Sequence, residues 1–210
     1  MTAFALRPAL RDVRRRPLLR RRTAVIQTEA QLISVAGAVG SDVFDGSSRR
    51  VASLDDLVVD WEPTDTHPAL VGAVVRTRQR RSYVPLDDIA DLEPDRLLLK
   101  GPLRGLPVER QPWLVALACD VLDRQIVDEH GADLARVSDL VLARFPDGIR
   151  LIGGDVSART LLRRLGTASM RREVSPSRVY DWASVGAFPE RGGGDASSVL
   201  RLTSTPEHAA

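Results

Sequence analysis

One stretch of this chain occurs twice, and that repetition limits the possible folds more than any other feature. VFDGSSRRVASLDDLVV (Val43–Val59) realigns without a gap on IVDEHGADLARVSDLVL (Ile126–Leu142), 83 positions later. Asp45, Ala52, Asp56, Leu57 and Val58 recur as Asp128, Ala135, Asp139, Leu140 and Val141. Val43, Val51 and Leu54 are replaced by Ile126, Leu134 and Val137, which keeps each position apolar. Asp45-Gly46-Ser47-Ser48 between apolar runs is a hairpin signal, because these residues satisfy a turn locally. Asp55-Asp56 interrupts the run that follows. The stretch therefore predicts strand, tight turn, and a second strand with a kink.

The repetition continues with gaps. LVGAVV (Leu70–Val75) matches LIGGDV (Leu151–Val156), both reading as a strand passing through glycine. YVPLDDI (Tyr83–Ile89) matches VYDWASV (Val179–Val185), and Leu97–Leu99 matches Val199–Leu202. Short strands with regular turn signals point to small antiparallel barrels or sandwiches, and a repeat of roughly 80 residues means tandem domains rather than a solenoid. The expected fold is mainly β: two tandem small antiparallel β-barrels with one short helix in the second. That helix is SARTLLRRLG (Ser157–Gly166), with Leu161, Leu162 and Leu165 at helical spacing and a terminal glycine. The expected boundaries are an Arg-rich tail at 1–27, a first barrel at 28–100, a Gly/Pro-rich linker at 101–113, a second barrel at 114–204 and a tail at 205–210. Within 28–39, Gln31, Leu32, Val35 and Ala36 suit one helical turn.

An apolar content of 43% supports a core without disulfides, and the only cysteine is Cys119. Lying in LVALACDVL, it is expected to be a small buried hydrophobe; a nucleophile would need a partner histidine, and none is close in sequence. No apolar run reaches the roughly 18 residues needed to span a bilayer, and no signal-peptide pattern opens the chain. The expected location is cytoplasmic, with the inner membrane face as an option. Of 30 basic residues only Lys100 is a lysine, a bias that suits a GC-rich genome. Arg7, Arg11, Arg14, Arg15, Arg16, Arg20, Arg21 and Arg22 face one acid, Asp12, in a segment broken by Pro8 and Pro17. A solvated, disordered tail is one reading, contact with anionic lipid or RNA phosphates another; a transit peptide shares the composition.

No GxSxG, HExxH, P-loop or strand-borne GxGxxG is present, so no catalytic or cofactor-binding residue is assigned. Gly192-Gly193-Gly194 lacks the Lys-Ser/Thr of a phosphate loop. His130 reads as a solvated turn residue. Asp45, Asp55 and Asp56, and Asp123, Asp128, Glu129, Asp133 and Asp139, could gather around Mg²⁺ or Ca²⁺, but Asp at a turn caps its own backbone and Asp56 and Asp139 suit a bulge or a neighbouring N–H. No metal ligand is assigned. Trp182 is expected in the second core; Trp61 and Trp113 either pack the two barrels together or stand exposed as anchors. The candidate contacts for protein or phosphate are Arg159, Arg163, Arg164, Arg171 and Arg172, followed by Arg178, with Arg76, Arg78, Arg80 and Arg81 forming a second basic group. Each group also reads as a solvated basic face.

VFDGSSRRVASLDDLVV resembles the first hairpin of a PRC-barrel domain, the small β-barrel of the photosynthetic reaction-centre H subunit and of the ribosome maturation factor RimM. DVLDRQIVDEHGADLARVSDLVLAR, LIGGDVSARTLLRRLG and YDWASV resemble tandem PRC-barrel regions of actinobacterial proteins, in which the barrels precede a helical domain like that of MgtE magnesium transporters. The resemblance covers about residues 38–204. It implies a non-catalytic adaptor or regulatory module without a cofactor, docking on a protein partner such as a membrane transporter or its helical cytoplasmic domain and linked to divalent-cation transport. The alternative is a ribosome-associated assembly factor similar to RimM. The sequence ends at SVLRLTSTPEHAA, where the helical domain of the longer relatives would begin, so the expectation is a standalone double barrel or a helical partner supplied by a separate protein.

Overall fold

The computed structural model describes residues 32–61, 66–108, 111, 113–123, 125–128, 134–156, 174, 179–182 and 199–202. The chain begins there with β1 (Leu32–Ser34), a one-turn helix α1 (Val35–Ala38), β2 (Asp42–Phe44) and β3 (Arg50–Asp60). Then come β4 (Ala69–Arg76), β5 (Arg81–Pro85), a 3-10 turn (Leu86–Asp88), β6 (Ile89–Leu92) and β7 (Arg96–Leu99). The second half runs β8 (Leu114–Ala116), a π turn (Leu117–Val121), β9 (Gln125–Asp128), β10 (Leu134–Arg136), β11 (Asp139–Phe145), β12 (Gly148–Asp155), β13 (Val179–Asp181) and β14 (Val199–Leu202). The fold is mainly β, as the strand and turn pattern predicts. The helix expected at Ser157–Gly166 lies outside the described residues.

The turn between β2 and β3 forms as its residues dictate. Asp45 accepts hydrogen bonds from the backbone N–H groups of Ser47 (2.9 Å) and Arg49 (3.0 Å). The Arg49 N–H does most to hold this carboxyl below its ordinary range; burial opposes it, and the Ser47 N–H and the Arg49 guanidinium assist. Asp45 is thus a turn cap. The kink predicted in the following strand is two irregularities of register against β4, at Leu54/Asp56 and at Val58/Val59. The second recurs between Val141 and Leu142 in the β11–β12 ladder, at the same place in the repeat. An extra residue on one strand bends it and increases its twist. Repeated in both halves, this device curls the sheet into a half-barrel.

Strand pairing carries the repetition into three dimensions. β2 pairs parallel with β7, with Val43 opposite Leu97. β9 pairs parallel with β14, with Ile126 opposite Leu200. β3, β4 and β5 form one antiparallel run, and β11, β12 and β13 form its counterpart. Among the described residues an 11-stranded sheet contains both runs, and β10, β9 and β14 form a small second sheet. The two runs meet where Ala69 of β4 pairs antiparallel with Arg150 of β12, while the Leu151 N–H donates to the Pro68 carbonyl at 2.9 Å. Ala69 and Arg150 hold the same position in the repeat, so this bridge lies on an approximate two-fold axis.

Each copy's leading strand crosses that axis. β8, which opens the second copy, pairs with the end of β3 in the first (Val58 opposite Ala116, Asp60 opposite Leu114). β1, which opens the first copy, pairs with β11 in the second (Ser34 opposite Val141, Leu32 opposite Ala143). The segment following each leading strand is fixed by a carboxylate of the opposite copy. Asp56 accepts from the N–H groups of Ala118 (2.7 Å) and Cys119 (2.9 Å) in the π turn, and from its neighbour Leu57 (2.8 Å). Asp139 accepts from the Ala36 N–H (2.9 Å), from Leu140 (2.7 Å) and from the Ser34 hydroxyl (2.5 Å). Ser34 in turn accepts from Gly37 at 2.9 Å and caps α1. At the position of Ser34 the second copy has Ala116, which has no hydroxyl to interpose, and the Cys119 N–H reaches Asp56 directly. These buried carboxylates do the work anticipated for them beside a bulge.

One contiguous apolar core draws on both copies, uniting Leu54, Leu57 and Leu97 with Leu140, Leu142 and Leu151. Trp182 is 1% exposed within it, as expected, and meets Trp61 edge-on with ring centroids 5.7 Å apart. Trp61 therefore packs one copy against the other.

Burial, the largest influence, raises both carboxyls above their ordinary value, and takes Asp139 from 3.8 to about 6. A carboxyl whose folded pKa is raised holds its proton more tightly when folded. Its contribution is full below about 4 and is lost as pH rises to about 6, a change of about 3 kcal/mol for Asp139. The stability of the parent protein minus that of Asp139→Asn, measured by denaturant titration, is expected to fall over this window and stay level above it. Asp56→Ala and Asp139→Ala each leave buried N–H groups without acceptors and are expected to cost about 2–4 kcal/mol. Since the exchanged segments tie the copies together, either alanine variant should shift one shared unfolding transition. Two separate transitions by tryptophan fluorescence and circular dichroism would contradict this.

Candidate docking cleft

The outer face of the first copy's sheet carries a cleft bordered by exposed apolar side chains. Val58 and Val74 point away from the main core and form the floor of a cleft of about 360 Å³. Tyr83 lies along one side, its hydroxyl donating to the Val71 carbonyl at 2.9 Å, and burial pushes its phenol upward in pKa. The ring can lie across β4 because residue 72 is glycine: a Cβ there would come within 2.4 Å of the Tyr83 Oη. Leu106, Pro107, Val108 and Gln111 of the linker form the wall, and Leu114, Ala116, Cys119 and Asp120 close the far end.

The wall is attached by a short antiparallel bridge. Tyr83 and Leu106 exchange both backbone hydrogen bonds at 2.8 Å. Gly105 allows this approach, since a Cβ at that position would meet the Ser82 Cβ at 2.2 Å. Trp113 accepts the Trp61 N–H at its carbonyl (2.8 Å), and its side chain remains outside. Leu106, Val108 and Trp113 are 51%, 43% and 52% exposed, and they are the large exposed apolar side chains among the described residues. All three fall within residues 106–113. Exposed apolar residues scattered singly need no explanation, whereas Leu106 and Val108 together border the cleft, as contact surfaces do.

Cys119 corrects a sequence expectation, for it is exposed at the end of the cleft. In the π turn Leu117 and Val121 face the core, and Cys119, midway between them, faces out while its N–H is held by Asp56. Among the described residues the lining contains no histidine. Asp120 accepts from the Ala116 N–H at 3.0 Å and places a carboxylate at the same end. Such a lining can hold apolar side chains and a few directional polar groups.

The other sequence candidates distribute as follows. Arg159, Arg163, Arg164, Arg171, Arg172 and Arg178 lie outside the described residues, as do Glu129, His130 and Asp133. Arg76 and Arg81 both pair with the buried Asp55 carboxylate, so half of the Arg76–Arg81 basic group is already neutralised within the fold. Arg78 and Arg80 occupy the exposed turn between β4 and β5. His67 lies 3.1 Å from Asp181. Among the described residues, no three His, Cys, Asp or Glu side chains converge as metal ligands, and no helix is long and apolar enough to cross a membrane. Sequence reasoning did not single out Leu106, Val108 or Tyr83. The signal available was the apolar content of a linker otherwise rich in Gly and Pro. Compared with known proteins, the chain matches no family model and no curated protein.

Gly105→Ala is expected to push the linker off β5 and cost about 1–3 kcal/mol by overpacking. Amide hydrogen exchange at Tyr83 and Leu106 should then accelerate. Gly101→Ala, where an added Cβ meets nothing within 4 Å, is the control and should leave both amides protected.

Proposed function

We propose that this chain is a non-catalytic docking module of tandem PRC-barrel type, whose first copy holds a segment of another protein in the cleft beside Leu106. The observation that carries this reading is the pair of exposed apolar side chains along one wall of the cleft, Leu106 and Val108, in a linker whose Trp113 is also exposed. Apolar side chains grouped at the edge of a cleft mark contact surfaces. The PRC-barrel resemblance supports a partner in divalent-cation transport at the inner membrane face.

The test compares the parent protein with a Leu106→Asp/Trp113→Ser variant in source cells, after circular dichroism has shown that the variant folds. Sedimentation at low and high salt should place the parent in a membrane-bound or larger assembly and release the variant as the 23.0 kDa chain, with association reduced at least about tenfold. A parent found only as the free chain, or a variant with the same distribution, overturns the reading. Comigration with ribosomal particles that ignores the substitutions would replace it with a RimM-like role.

A further inference from the structure

Arginines and exposed aliphatic side chains meet at one corner of the first copy. The stretches 76–85 and 103–108 together hold five arginines and no acid. Arg76 and Arg81 stand opposite each other at the ends of β4 and β5 and are engaged by Asp55. Arg78 and Arg80, in the turn between them, and Arg104, in the linker, are exposed and enter no ion pair among the described residues. The turn is fastened on itself. The Thr77 N–H donates to the Arg80 carbonyl at 2.9 Å, and the Thr77 hydroxyl accepts from the N–H groups of Gln79 (3.3 Å) and Arg80 (3.2 Å). Arg78 and Arg80 therefore project from a braced tip. Continuing the antiparallel register of the Tyr83–Leu106 bridge places Val108 beside Arg81, and both line the cleft. Leu106 is two residues further along, so by strand geometry it stands within about 10 Å of Arg81. Asp120 is at the far end of the cleft, and Glu109 and Arg110, next in sequence, offset each other in charge.

A corner of this kind suits a surface that offers negative charge and an apolar layer together. Single-stranded RNA offers phosphates, but its bases stack on exposed aromatic rings. Here Tyr83 lies along β4 with its hydroxyl bonded to Val71, and Trp113 is bonded to Trp61 at the opposite end of β3. An anionic bilayer offers charged headgroups over hydrocarbon. Guanidiniums stay at headgroup level while aliphatic side chains beside them enter the boundary. We infer that Arg78, Arg80 and Arg104, with Leu106 and Val108, form a contact site for an anionic lipid surface. This contact is additional to the docking proposed above: Arg78 and Arg80 do not line the cleft, and lipid contact needs no protein. The arginines at 7–22 attract the same lipid by charge alone, so the aliphatic pair distinguishes the corner from the tail.

The purified full-length protein is sedimented with vesicles of phosphatidylcholine alone and of phosphatidylcholine mixed with phosphatidylserine. Binding is expected only to the mixed vesicles and should fall with rising salt. Each arginine near such a surface strengthens binding about fivefold, so Arg78→Gln/Arg80→Gln should bind about twentyfold more weakly. Leu106→Ser should bind about fivefold more weakly, through lost apolar burial. Trp113→Ser, exposed but outside the corner, should match the parent. Circular dichroism confirms that each variant folds. Undiminished binding by the arginine variant overturns the inference and assigns lipid contact to the basic tail. Equal binding by Leu106→Ser and the parent overturns it too, since charge alone then suffices. Failure to bind either vesicle also overturns it and leaves the docking reading to its own test in cells. In that event, an assembly in cells that is lost with Arg78 and Arg80 would assign the corner to an acidic protein, and RNA binding lost with them to a nucleic acid.

Discussion

Two buried carboxylates, Asp56 and Asp139, hold the architecture together because each satisfies backbone N–H groups on the opposite half of the chain. The ends of a short turn have donors that secondary structure leaves unpaired, and burying them without acceptors is costly. Here the acceptors come from across the pseudo-dyad, so neither α1 nor the π turn can bury its donors until the other half has folded against it. The exchange of β1 and β8 follows the same logic. A three-residue strand has little stability of its own and gains it by extending a neighbouring ladder while its carboxylate partner caps what comes next. The tryptophan pair Trp61–Trp182 and the shared core then close the gap between the two halves.

Much of the β framework was readable in the sequence. The hairpin at Asp45, the strand passing through Gly72, the kink near Asp56 and the recurrence of all three after Ile126 each follow from local chemistry: turn residues, alternation, and an acid inside an apolar run. The reading of Asp45 and Asp56 as backbone acceptors rather than metal ligands came from the same source. The partner of each leading strand was not readable. Leu32–Ser34 and Leu114–Ala116 are short apolar triplets that suit any open edge, and nothing in their composition says which copy they join. Cys119 reads as buried in the sequence because an apolar run looks buried throughout until a turn rotates one residue outward.

Charge shows a related limit. Counting arginines identified Arg76 and Arg81 as part of a basic surface, yet both close on Asp55, a residue distant in sequence from Arg81 and nearly buried itself. Net charge describes how a molecule behaves in a field; only geometry tells which charges remain available. The cleft escaped notice for another reason. Its wall meets Tyr83 through one backbone bridge, and no local pattern announces a bridge between a strand and a linker.

The exchange of leading strands also sets how the molecule can come apart. Two barrels joined by a linker alone could part while each stayed folded. Here β1 lies in the ladder of β11 and β8 in the ladder of β3, so drawing the copies apart strips a strand from each. Under tension the two copies therefore yield together, as one mechanical unit.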